Sequence, residues 1–131
     1  MIPGIELLQT ADSKTEKHVP VIEAPDKAKK GGVIEVKVSV GKEIPHPNTT
    51  EHYIAQATIY FLPQGEKFPY EVGRFEFSSH GASAQGPNTS SIYTQPVASC
   101  SFKSDKSGRL IAVSYCNIHG LWQSWKELTV E

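Results

Sequence analysis

"VIEVKVSV", residues 33–40, alternates without a break. Ile34, Val36, Val38 and Val40 fall on one side of an extended chain; Glu35, Lys37 and Ser39 fall on the other. Successive side chains of an extended backbone point to opposite faces, so a period of two marks a strand with one apolar and one wet face. Such strands belong to antiparallel sheets that cover a core on one side.

Similar segments flank it. "HVPVIEA" (18–24) reads as a shorter strand, ended by the polar turn "PDKAKKGG". "HYIAQATIYFLP" (52–63) is β-branched and aromatic, and Pro63 and Gly65 stop it. "YEVGRFEF" (70–77) follows, then a long loop of small and turn-forming residues, "SSHGASAQGPNTSS" (78–91). "IYTQPVASCSFK" (92–103) and "RLIAVSYC" (109–116) flank "SDKSG", which reads as a hairpin turn. "SWKELTVE" closes the chain, and the one helical suggestion is "GIELLQTA" near its start. About seven short strands with turn signals between them predict an all-β antiparallel sandwich or barrel. No repeat, linker or low-complexity run divides the 131 residues, so a single domain, 1–131, is expected.

A formal net charge of −1 and the lack of a basic run speak against nucleic acid and anionic membrane surfaces as partners. No apolar stretch is long enough for a membrane-spanning helix, and the first residues lack the pattern of a secretory signal. Taken as complete, the chain is expected in the cytoplasm. Two cysteines do not make a disulfide framework. With the hairpin centred near Lys106, Cys100 falls opposite Ala112 or Val113, out of reach of Cys116. Cys100 therefore reads as a small buried hydrophobe.

The five histidines carry more information. His18 opens a strand, and His46 and His52 bracket the loop "HPNTTEH" directly before another. Cys116 ends a strand, and His119 lies just beyond it in "SYCNIHGLW". Strand ends on a rigid β scaffold are where function gathers. His80 lies in the long loop with no partner at ligand-like spacing, and reads as structural. Imidazole and thiolate together suit zinc, copper or iron. Five such ligands overshoot the four of a structural zinc site and suit a square-pyramidal iron better. The nearest rival is a cupredoxin-type copper electron carrier, whose sites want an axial methionine; the only methionine is Met1.

"EKHVPVIE", "VGKEIPHPNTTEHYI", "VGRFEF" with the following "HG" and "GPNTS", and "SYCNIHGLW" resemble the one-iron superoxide reductases, also called neelaredoxins. The resemblance runs from about residue 7 to the end. It implies an immunoglobulin-like β-barrel, with His18, His46, His52 and His119 as equatorial iron ligands and Cys116 as the axial thiolate. Glu16 stands where a glutamate of this family can close the sixth position in the resting ferric form, and Lys17 where a lysine lies beside that position. Two-iron relatives, the desulfoferrodoxins, add a domain with a four-cysteine centre, which two cysteines cannot build. Gln56 and Ala57 stand where a bulkier apolar pair is expected.

The activity implied is one-electron reduction of superoxide to hydrogen peroxide without release of dioxygen. The resemblance also implies one iron per subunit, a rubredoxin-type electron donor and a homotetramer. Lys17 is expected to attract the superoxide anion. Glu16 and Lys17 are neighbours on an extended segment, so they cannot both point with His18, and a mobile segment bringing either one to the iron is expected. The backbone amides of Asn117 and Ile118 are expected to point at the Cys116 sulfur.

Overall fold

The computed structural model describes residues 8–131. Eight strands form: β1 (Pro20–Glu23), β2 (Lys27–Ala28), β3 (Ile34–Val40), β4 (Ile54–Pro63), β5 (Tyr70–Glu76), β6 (Val97–Phe102), β7 (Gly108–Cys116) and β8 (Gly120–Val130). They make a three-stranded sheet, β1-β3-β6, and a five-stranded sheet, β2-β8-β7-β4-β5. No helix occurs among the described residues. The fold is the expected all-β sandwich. Of the helical turn read in "GIELLQTA", residues 4–7 lie outside the described part; Gln9 pairs instead with Trp122 in an isolated bridge.

The alternation in β3 places its apolar row as expected: Ile34, Val36, Val38 and Val40 are all buried. They meet Ile54, Ala57, Ile59 and Phe61 of β4, Leu110 and Ala112 of β7, and Leu128 of β8 in one core. Full burial of an aliphatic side chain of this size contributes about 1.5–3 kcal/mol.

Two readings change. The "PDKAKKGG" turn contains β2, which pairs in parallel with the end of β8 and raises the strand count to eight. The segments either side of "SDKSG" are not a hairpin: β6 pairs with β3 in one sheet, β7 with β4 and β8 in the other. A turn sequence specifies a change of direction but not a partner, and here the chain crosses between sheets. Both cysteines are free, as expected, because they lie in different sheets rather than out of register in one.

Two features of the larger sheet set up one of its ends. A bulge in β4 lets Ile54 pair with Cys116 and Gln56 with Tyr115, leaving Ala55 over. The extra residue shifts the inward parity, so Ile54 and Ala57 are both buried. Ala57 is almost wholly enclosed there, so the small residue read as a departure from the family fills a tight place. At the neighbouring corner β7 turns into β8 so tightly that Cys116 pairs directly with Gly120.

Candidate metal centre

The inward row of β7 runs Leu110, Ala112, Ser114, Cys116, all buried. Alternation thus puts the Cys116 thiol inside, at the last position before the chain turns. Asn117, Ile118 and His119 make the turn, and Gly120 takes φ +79°, a left-handed conformation that glycine adopts without steric cost. The turn folds His119 back onto Cys116. The His119 backbone N–H donates to Sγ at 3.4 Å, and His119 Nδ1 lies 3.8 Å from the same sulfur. The amide expected from Asn117 goes elsewhere, to the Tyr53 carbonyl.

His18 approaches from the segment leading into β1. The Ser114 hydroxyl donates to its carbonyl at 3.1 Å, and the Trp122 ring stacks on its imidazole at 5.0 Å. One Glu16 carboxylate oxygen accepts from both the His18 backbone N–H (3.0 Å) and Nδ1 (2.5 Å). A carboxylate only accepts, so the His18 proton sits on Nδ1 and its bare Nε2 faces inward, 3.1 Å from His119 Nδ1. His46 repeats the device: its Nδ1 donates to the Pro47 carbonyl at 2.6 Å, and its Nε2 lies 3.6 Å from Cys116 Sγ. His52 Nε2 is buried and has no hydrogen-bond partner among the described residues.

The chain therefore brings His18, His46, His52, Cys116 and His119 together. One donor atom from each of His18, His52, Cys116 and His119 lies within 4.8 Å of the others. The His46 ring adjoins this group, 4.8 Å from the His18 ring and 4.7 Å from that of His52. Metal bonds of about 2.0–2.3 Å put neighbouring donors about 3 Å apart and opposite donors somewhat over 4 Å apart. The observed spacings, inward lone pairs and orphaned His52 nitrogen all fit a bound cation with nitrogen and sulfur ligands.

The electrostatics favour the ligating form of the rings. Burial lowers the His46 pKa to about 4 against the opposing hydrogen bond to Pro47, and repulsion from the Lys17 charge and from His18 and His52 in their protonated forms lowers it further. Burial also lowers that of His52, helped by His119, His18 and Lys17. Both imidazoles are thereby held neutral. Lys17 is half-buried and near enough for its charge to act on both rings. Burial opposes ionisation of Glu16, but its bonds to His18 prevail and hold its pKa below the ordinary carboxylate value. Its carboxylate is engaged at the back of His18, away from the inward-facing nitrogen. His80 and Cys100 stand outside the cluster.

Several supporting residues carry no signal that spacing alone reveals. The Asn117 side chain grips both flanks of His52, accepting from the Tyr53 N–H (2.8 Å) and donating to the Glu51 carbonyl (2.9 Å). Thr49 closes the 46–52 loop on itself: its hydroxyl accepts the His52 N–H at 3.0 Å. Asn88, from the long 78–91 loop, exchanges two hydrogen bonds with Thr50. The abundance of Asn and Thr in "HPNTTEH" and "GPNTS" was the one available hint.

The fold and site define a β-sandwich protein in which histidines gather around one buried cysteine in an arrangement that fits a metal ion. The chain belongs to the Desulfoferrodoxin family, which it matches over residues 10–125. It is 56% identical to a superoxide reductase of Pyrococcus furiosus, across 96% of this chain and 98% of that one. It is 51% identical to a neelaredoxin of Megalodesulfovibrio gigas, across 96% and 97%. Among solved structures it resembles the superoxide reductase (neelaredoxin) of Archaeoglobus fulgidus in its reduced form. The TM-score is 0.87 and the identity 65%, covering 94% of this chain and 98% of that one.

Proposed function

We infer that this chain is a superoxide reductase, a single-domain enzyme that converts superoxide, one electron and two protons into hydrogen peroxide. The observation that carries the reading is the convergence of imidazole nitrogens on one buried thiol, in a chain so close to proteins of that name. His18, His46, His52 and His119 would hold one iron per subunit together with Cys116, and the iron would supply the place where superoxide reacts. Iron bound there supplies a one-electron couple between its ferrous and ferric forms.

The other roles belong to the chain. Four neutral imidazoles add no charge, and Cys116 adds one negative charge. The His119 N–H donated to the sulfur draws off part of that charge and so tunes the centre. The Lys17 ammonium attracts the anionic substrate toward the histidine face and orders water for proton delivery. Glu16 holds the His18 tautomer in this arrangement; released by movement of its segment, its carboxylate would be free to approach the metal held by the histidines. The family resemblance supports a rubredoxin-type donor, a homotetramer and a cytoplasmic setting. No helix among the described residues is long and apolar enough to cross a membrane.

The cupredoxin alternative finds no support, because no methionine lies among the described residues and the family match points to superoxide reductases. Metal analysis and a visible spectrum of the oxidised protein test the reading, alongside Cys116→Ala and an assay of peroxide and dioxygen from superoxide. About one iron per chain, a blue colour lost in the variant, and peroxide without dioxygen are expected. Copper in the native protein, or no metal at all, refutes it.

A further inference from the structure

His80 is the one histidine outside the cluster, yet it is only 8% exposed. Its Nε2 lies 2.5 Å from the Phe77 carbonyl, and its Nδ1 lies 2.8 Å from Asn48 Oδ1. A carbonyl only accepts. The Asn48 amide is oriented by its own Nδ2, which donates to the Thr94 carbonyl at 2.9 Å, so the atom it turns to His80 is the oxygen. Reversing the amide would set two oxygens against each other. Both ring nitrogens of His80 thus face acceptors, and both bonds form only when both nitrogens carry protons.

The surroundings suit such a ring. The Tyr53 ring stacks on it at 3.8 Å with 12° between the planes, a geometry in which an aromatic face attracts a cation. Asn48 and Thr50, whose hydroxyl donates to the His80 carbonyl at 3.0 Å, both belong to the loop that carries His46 and His52. Tyr53 follows His52 directly, and Asn117 holds its backbone beside Cys116. His80 therefore grips the ligand loop at three points, through Asn48, Thr50 and Tyr53.

We propose that His80 is a positioning residue for the His46 and His52 ligands, and that it works as an imidazolium donating from both ring nitrogens. It touches no donor of the metal cluster and acts through the loop. The proposal deepens the metal-centre reading and rests on it.

Two measurements test it. In the full chain loaded with ferrous iron, release to the chelator ferrozine is timed for the native protein, His80→Gln and His80→Phe. The phenyl ring keeps the stack on Tyr53 but donates nothing; the glutamine amide restores one donor. Lost supporting contacts commonly cost 10–100-fold in metal affinity. His80→Phe is expected to release iron at least tenfold faster and to shift the visible band, with His80→Gln between it and the native chain. Equal release and an unchanged band in His80→Phe overturn the positioning role. Independently, nitrogen-15 spectra of the His80 ring in the zinc-loaded native chain are expected to show two protonated nitrogens; a single protonated nitrogen overturns the imidazolium. A native chain that holds no iron would instead refute the functional reading, which keeps the two failures distinct.

Discussion

Gly41 and Gly65 make a matched pair for testing how the scaffold sets His46. Their φ angles are nearly equal, +85° and +81°. A Cβ at Gly65 meets nothing within 4 Å, whereas one at Gly41 lies 2.7 Å from the His46 backbone nitrogen and 3.3 Å from the His46 Cβ. Alanine at either site suffers the left-handed backbone, about 1–2 kcal/mol. At Gly41 the obstructing atom is backbone and cannot swing aside, so His46 itself must shift, at a further cost of about 1–3 kcal/mol. For a chain of this size 1 kcal/mol corresponds to about 3–5 °C in Tm. In metal-free protein, where ligand binding cannot mask the effect, Gly65→Ala is expected to lower Tm by about 5 °C and Gly41→Ala by about 10 °C or more. The iron-loaded proteins should differ more sharply. Gly65→Ala, at the far end of β4, leaves iron release unchanged, and Gly41→Ala hastens it. Calorimetry and chelator capture read the two quantities. Equal melting losses with equal release rates would show that this contact does not hold His46 in place.

Lys17→Ala is expected to slow the second-order reaction with superoxide several-fold and to flatten its ionic-strength dependence, since a half-buried ammonium still attracts anions through a field that salt screens; pulse radiolysis at two salt concentrations decides this. Ser114→Ala leaves the buried His18 carbonyl without its hydroxyl donor. A loss of about 1–3 kcal/mol in urea unfolding is expected, and a change within error would mean that another group satisfies that carbonyl. Burial pushes the Cys100 thiol above its ordinary pKa. The unfolded thiol ionises first as pH rises, so this group's contribution to stability is present below the ordinary thiol pKa and lost as pH climbs through the folded one. Alkylation of Cys100 in the folded chain, mapped by peptide mass, should therefore show a pH midpoint above that of the urea-unfolded chain; coincident midpoints contradict it.

Much of the fold was legible because β alternation is local. The apolar row of β3 and the strand character of β4 and β7 follow from side chains that point alternately in and out, whatever lies opposite. Strand pairing is not local, and there the reading of "SDKSG" failed: Ser104–Gly108 turns the chain without stating which sheet receives it. The tiny parallel strand β2 was missed for a related reason, since two residues carry no period and owe their pairing to β8 alone.

The site divides along the same line. Residue type and strand-end position determined by themselves that His18, His46, His52, Cys116 and His119 were the candidates, because few side chains bind such metals and rigid strand ends are where they can be held. Only the tertiary structure decided which nitrogen each ring turns inward, since Glu16 and the Pro47 carbonyl set the tautomers of His18 and His46 through contacts of specific geometry. It also decided that Glu16 lies behind His18 and that His80 braces the loop across 32 residues of chain. Chemical identity is written in each residue; direction and partnership arise only when separate segments pack.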